Sequence, residues 1–108
     1  MPEAVPKKYV MGWLKLRPGK RAEFVEAYQR GAEATRREEG CVFYDYGLSD
    51  SDPDAVIIVE CFASEEAHAA HLKTPHFQAV WAAFERLGAE GKFEDIWSDN
   101  GKASSVRF

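Results

Sequence analysis

The stretch from Cys41 to Ala63 contains two strand-like segments around a turn, and it limits the folds open to this chain. In CVFYDYGLS, aromatic and apolar side chains alternate, with Val42, Tyr44, Tyr46 and Leu48 on one face. The segment AVIIVECFA is dense in β-branched residues, and the DSDPD between them is rich in turn formers. Because short connections join antiparallel neighbours, we predict a β-hairpin.

Amphipathic helices are predicted on both sides of this hairpin. Before it, apolar residues recur at helical spacing from about Lys20 to Glu39, and Gly40 is the expected C-terminal cap. After it, Ser64 is a good N-cap for a short helix, which cannot continue through Pro75. Thr74 and Pro75 then begin a longer helix. Its apolar stripe consists of Phe77, Val80, Trp81, Phe84 and Leu87.

Two further strands complete the pattern. KKYVMGWLKL alternates near the N-terminus, and KFEDIWSD follows the last helix. The order β-α-β-β-α-β, with the second helix split in two, predicts an α+β ferredoxin-like fold, in which helices pack on one face of an antiparallel sheet. We expect a single domain over residues 1–108, with a tail at 1–7 and a C-terminal arm at 99–108.

The sheet face turned away from the helices is predicted to be apolar. Alternation places six such side chains on it: Tyr9, Met11, Trp13, Phe43, Ile57 and Val59. An apolar patch of this size on a small domain marks an interface. A second copy of the chain is the simplest partner, so we predict a homodimer formed sheet to sheet.

The charge and the cysteines narrow the classes of function. A formal net charge of −4 argues against nucleic acid and against an anionic membrane as partners. Without a long apolar segment or a secretory signal pattern, we expect a cytoplasmic protein. The hairpin should bring Cys41 near Cys61, and in that compartment we expect both as reduced thiols.

Three histidines, His68, His71 and His76, lie in the single stretch HAAHLKTPHF. His68 and His71 are one helical turn apart, but no third ligand is evident, so we predict no metal. The rings either pack at the helix corner or take part in proton transfer, since the imidazole pKa is close to neutrality.

Glu60 is the other candidate for proton transfer. It shares the helix-facing side of its strand with Val56 and Ile58, where partial desolvation would raise its pKa and suit it to act as a general base. The alternatives are that solvent reaches Glu60 at the strand end, or that it forms an ion pair with a Lys or Arg. Five aromatic residues either line a pocket for a flat aromatic substrate or form plain core: Tyr44, Tyr46, Phe62, Trp81 and Phe84.

The segments PGKRAEFVEAY, EEGCVFYDY and VECFASEEAHAAHLKTPHFQAV resemble the antibiotic biosynthesis monooxygenase family. The resemblance extends from about Tyr9 to Trp97, and AHLKTPHF is its most specific part. It implies a dimeric α+β barrel. This fold serves cofactor-free oxygenases of quinols or anthrones, haem-degrading enzymes, isomerases and proteins without known activity.

The chain departs from this family at identifiable positions. Relatives often have a Trp where this chain has Phe62, although the preceding Glu60 is present. The haem-degrading branch has an Asn and a ligand His where Gly12 and Trp81 stand here, which argues against haem. The resemblance therefore implies no cofactor.

The leading interpretation is a cofactor-independent monooxygenase that acts on a small aromatic or quinol-type substrate with O₂. Its catalytic residue would be His71, His76, His68 or Glu60, because removing a proton gives an electron-rich anion that reacts with O₂. The alternatives are a non-catalytic homodimeric module that binds a small ligand or regulates a partner, and a proton-shuttling isomerase of a small carbonyl compound. A phosphorylated substrate would need a basic cluster, and none is obvious.

Overall fold

The computed structural model describes residues 5–99 and 102–103, and it confirms the predicted α+β ferredoxin-like fold. The elements in chain order are β1 (Lys8–Leu16), α1 (Arg21–Arg36), β2 (Cys41–Leu48), β3 (Ala55–Phe62), α2 (Glu65–Leu72), α3 (Pro75–Leu87), β4 (Gly88–Asp99) and β5 (Lys102–Ala103). The strands lie in the order β2-β3-β1-β4-β5, and their pairings are antiparallel. No helix within the described ranges is long and apolar enough to cross a membrane.

Local chemistry sets the ends of α2 and α3 as predicted. The Ser64 hydroxyl accepts a hydrogen bond from the backbone N–H of Ala67 at 3.0 Å. The Thr74 hydroxyl accepts from the N–H of Phe77 at 3.1 Å and donates to the carbonyl of His71 at 2.7 Å. With Pro75 in the first turn, Thr74 thus closes one helix and opens the next.

Gly40 is not the helix cap that the sequence predicts. Helix α1 ends at Arg36, and the backbone N–H of Arg37 bonds the carbonyls of its last turn. Gly40 instead lies against α2, where an added Cβ would be 2.3 Å from the Cβ of Ala67. Its role is therefore to let the loop after α1 approach α2 closely.

Strand β4 begins earlier than predicted. It starts at Gly88 rather than at Lys92, directly after α3, because Gly88 already pairs with Leu16 of β1. The predicted C-terminal arm at residues 99–108 includes β5, which pairs with the end of β4. Residues 100–101 and 104–108 of that arm lie outside the described residues, as do residues 1–4 of the predicted N-terminal tail.

The hairpin contains an irregularity that the sequence did not predict, and it leaves Cys41 and Cys61 on neighbouring strands as expected. An irregularity between Cys41 and Phe43 places Cys41 opposite Phe62 and Phe43 opposite Cys61, so the cysteines are not direct partners. It also turns Val42 outward, and its side chain is 49% exposed. Leu48 pairs with the buried Val56, so it keeps the predicted face shared with Tyr44 and Tyr46, but at the end of the edge strand it is exposed.

The core lies between the helices and the inner face of the sheet. Helix α1 contributes Phe24, Tyr28 and Ala32, and β3 contributes Val56, Ile58 and Phe62. The outer face is apolar, as predicted, and three of its residues have exposed side chains: Met11, Phe43 and Ile57. The homodimer expected from this face stays a prediction.

Candidate functional site

A cavity of about 340 Å³ lies between the helices and the inner face of the sheet. This volume is within the range of small-molecule sites. Its walls are mostly aromatic and aliphatic, and its polar side chains are those of Glu60, His68 and Asp95, together with the phenols of Tyr28 and Tyr44. The remaining lining residues are Val10, Leu14, Phe24, Ile58, Leu72, Phe77, Val80, Trp81, Phe84 and Phe93.

A row of paired residues across the sheet forms the floor of this cavity. Tyr44 pairs with Glu60, Glu60 pairs with Val10, and Val10 pairs with Asp95. Paired residues share a face of the sheet, so all these side chains point toward the helices. The backbones of Glu60 and Asp95 are two strands apart, about 10 Å, with Val10 between them.

The side-chain carboxyl of Glu60 has no hydrogen bond or ion pair with any residue that the structure describes. Burial raises the pKa of its carboxyl to about 8, and the nearby negative charge of Glu38 contributes to the same shift. The alternative expectation, an ion pair with Lys or Arg, is not met by any residue in the described part of the chain. Near neutral pH this carboxyl exchanges a proton readily, which is the property of a general acid or base.

Two stacked phenols adjoin Glu60. The rings of Tyr28 and Tyr44 are parallel within 3°, with centroids 5.0 Å apart. Burial raises the pKa of both phenols far above the ordinary value, and the charge of Glu60 raises the pKa of Tyr44 further. The Tyr28 hydroxyl donates to the carbonyl of Asp45. Tyr44 stays neutral at physiological pH, so its hydroxyl can donate a hydrogen bond close to Glu60.

Lys8 organises the polar end of the cavity, and the sequence reasoning missed it. Its side chain is fully buried, and its ammonium lies 3.1 Å from Glu65, 3.2 Å from Nδ1 of His68 and 3.7 Å from Asp95. The ammonium also lies over the ring of Trp97. The signal was available in the sequence, because Lys8 is in phase with the inward-facing residues of β1, such as Val10 and Leu14.

The other two histidines form a separate cluster outside the cavity. One carboxylate oxygen of Glu38 lies 2.9 Å from Nδ1 of His71 and 2.6 Å from Nε2 of His76. His71 is fully buried among aromatic rings, and this burial lowers its pKa although Glu38 opposes the shift. The prediction of no metal rested on the lack of a third ligand. Glu38 supplies one, so that premise is wrong.

The cavity therefore collects some of the predicted site residues and excludes others. Those that line it are Glu60, His68, Tyr44, Trp81 and Phe84, whereas His71, His76, Phe62 and Tyr46 do not. Phe62 is buried, with its ring centroid 4.9 Å from that of His71. The Tyr46 hydroxyl accepts a hydrogen bond from Gln29 near the surface. His71 thus lies behind the cavity wall.

Residues 9–83 match the sequence model of the family described as antibiotic biosynthesis monooxygenase. Among curated relatives, the "Putative monooxygenase YcnE" of Bacillus subtilis is 30% identical over 72% of this chain and 82% of its own length. An isomerase of (4S)-4-hydroxy-5-phosphonooxypentane-2,3-dione from Yersinia enterocolitica is 31% identical over 59% of this chain and 67% of its own length.

An uncharacterized protein of Synechocystis is 29% identical over 63% of this chain, but the matched part spans only 46% of that protein's length. Among solved structures, a conserved protein of unknown function from Bacteroides thetaiotaomicron superposes with a TM-score of 0.81 at 27% identity. That superposition covers 88% of this chain and all of the other.

Proposed function

The chain belongs to the antibiotic biosynthesis monooxygenase family, and from this premise we propose that it oxidises a small phenolic or quinol-type substrate with O₂ in the cavity. Glu60 is the proposed base. The observation that carries the proposal is this unpaired carboxyl, whose pKa of about 8 matches proton abstraction near neutral pH. The aromatic walls suit a flat apolar ring.

For a phenol that bears an activated CH₂ group, the proposed reaction with O₂ needs no external reductant. Glu60 removes a proton from the substrate, and Tyr44 donates a hydrogen bond to the oxygen on which negative charge develops. The resulting anion adds O₂ at carbon, and loss of water leaves a carbonyl there. The net change is CH₂ plus O₂ to C=O plus H₂O, in which the substrate carbon supplies all the electrons that O₂ accepts.

The isomerase alternative draws on relatives whose printed names specify a phosphonooxy substrate. A phosphate group is bound by Arg, Lys or backbone N–H groups. Within the described residues, the cavity lining includes no Lys or Arg and contains the carboxyls of Glu60 and Asp95. The ammonium of Lys8 already lies beside carboxylates. These charges favour a neutral substrate over a phosphorylated one.

The proposal extends to assembly and location. An outer sheet face with Met11, Phe43 and Ile57 exposed supports a homodimer formed sheet to sheet. We also propose a cytoplasmic location, where Cys41 and Cys61 would stay reduced.

An oxygen electrode tests the activity directly. The purified protein, without added flavin, haem or metal, is given a panel of quinols and of phenols with an activated CH₂ group. We expect O₂ uptake above autoxidation, and Glu60→Gln should lower the rate about 10²–10⁴-fold with the fold intact. His76→Ala, a change outside the cavity, should leave the rate within a few-fold of wild type.

The competing functions give different results in the same experiment. An isomerase would exchange the α-hydrogen of a small carbonyl compound with deuterium from D₂O without consuming O₂. A binding module would bind aromatic ligands with no turnover. O₂ uptake no faster than autoxidation over the whole panel, or full activity of the Glu60→Gln variant, would remove the oxygenase proposal.

A further inference from the structure

We propose that Glu38, His71 and His76 form a binding site for one divalent transition-metal ion of the zinc type. This inference does not depend on the proposed oxygenase activity, because the three residues lie outside the cavity. One ligand atom from each residue is available, and these atoms all lie within 4.8 Å of one another. Two imidazoles with one carboxylate are a ligand set that zinc and neighbouring divalent metals bind.

The ligands come from different parts of the chain, and local structure fixes each of them. Glu38 lies in the loop after α1, and its carbonyl accepts a hydrogen bond from Cys41. Gly40 lets that loop lie against α2, and its carbonyl is bonded by the N–H of Ala63 at 2.7 Å. His71 is in the last turn of α2, and His76 is in the first turn of α3.

The contacts among these groups require a proton or a metal ion between the heavy atoms. Two ring nitrogens approach the same oxygen of Glu38, at 2.9 and 2.6 Å. Protons can satisfy both contacts, and so can one metal ion. Ligand atoms around tetrahedral zinc are separated by roughly 3.3 Å, given bonds of about 2.0–2.1 Å. To reach that spacing the two Glu38 contacts would lengthen by about 0.4–0.7 Å, and the two ring nitrogens, which lie within 4.8 Å of each other, would approach each other.

The cluster is closed on one side and open on the other. His71 is inaccessible to solvent, whereas the side chains of His76 and Glu38 are 23% and 19% exposed. An ion can thus enter from the His76 side, and water can complete its coordination there. Once bound, it would tie the loop after α1 to both helices whose residues Leu72 and Phe77 form part of the cavity wall.

Metal titration of untagged protein, stripped with a chelator and kept reduced, tests the site. We expect wild type to bind one Zn²⁺ per chain by calorimetry and to give the visible absorption of coordinated Co²⁺. Glu38→Gln and His76→Ala should both lose this binding. Both positions are partly exposed, so circular dichroism should show these variants folded even if His71→Ala does not fold.

His68→Ala is the matched control, because His68 is a neighbouring histidine outside the cluster and its loss should leave Zn²⁺ stoichiometry unchanged. Zn²⁺ should also raise the melting temperature of wild type and of His68→Ala, but not of Glu38→Gln. The inference is overturned if wild type binds no stoichiometric Zn²⁺. It is equally overturned if Glu38→Gln and His76→Ala bind as tightly as wild type, since the ion would then lie elsewhere.

Discussion

Replacing Glu60 with Gln should change how the stability of the protein depends on pH. In the folded chain this carboxyl has a pKa of about 8, against an ordinary value of 4.5. The folded state thus holds the proton more tightly than the unfolded chain does. As pH rises from 4.5 to 8, the unfolded chain releases this proton first, so ionisation favours unfolding. Gln cannot ionise, so the Glu60→Gln variant should not lose stability in this way as the pH rises.

The two pKa values set the size of the effect. Each pKa unit corresponds to about 1.4 kcal/mol, and linkage between pH 5 and pH 8 gives a loss of about 3–4 kcal/mol for wild type. At pH 5, where Glu60 is protonated in the folded state, Gln has nearly the same shape. The two proteins should then agree within about 1 kcal/mol. At pH 8 the variant should be the more stable by most of the calculated difference.

Urea denaturation at pH 5, 6, 7 and 8, followed by circular dichroism, measures this difference. Glu33→Gln is the matched control, because Glu33 is exposed on the outer side of α1, and its curve should run parallel to wild type. If the Glu60→Gln and wild-type curves run parallel as well, Glu60 has an ordinary pKa. The physical basis for calling it a base poised near neutrality would then be lost.

Further substitutions probe the cavity end, the loop and the outer face. Lys8→Met should lower the free energy of unfolding, measured in urea, by about 3–5 kcal/mol, because it leaves the buried carboxyl of Asp95 without this cation. A loss under about 1 kcal/mol would show that water already solvates that carboxyl. Gly40→Ala should lower the free energy of unfolding by about 1–3 kcal/mol, since the new Cβ would overlap that of Ala67. Unchanged stability would mean that the loop after α1 can move away from α2. Trp13→Glu should give a monomer in sedimentation at micromolar concentration, and a wild type that is itself monomeric would contradict the sheet-to-sheet dimer.

The parts of the fold that local chemistry determines could be predicted from the sequence. The hairpin follows from DSDPD, the split helix from Thr74 and Pro75, and the inward position of Glu60 from strand alternation. Each of these depends on residues within a few positions of one another. The bulge after Cys41 escaped prediction because it depends on how β2 fits its neighbour.

The candidate site was predicted less well, because its polar groups meet through tertiary packing. Lys8 and Asp95 come from strands far apart in sequence, and only the sheet order brings them together. Glu38 is likewise remote from His71 and His76 in the chain. Contacts between residues so far apart in the chain cannot be deduced from a single sequence. The sequence predicted an aromatic pocket, but periodicity could not tell which aromatic residues would line it. Tyr44 lines the cavity, whereas Phe62 does not.

The break between α2 and α3 at Thr74 and Pro75 lets His71 and His76 point to the same place, which they could not do in one continuous helix. Five positions along an uninterrupted α-helix correspond to a rotation of about 140°, so His71 and His76 would then point to nearly opposite sides. Because one helix stops and another starts between them, both rings reach the same carboxylate oxygen. Restoring helical continuity, as Pro75→Ala together with Thr74→Ala would favour, should therefore rotate the imidazoles apart. Helical spacing alone would not predict that these two rings meet, but the short motif H-x-x-T-P-H does. The motif can therefore be used to search other chains for the same geometry.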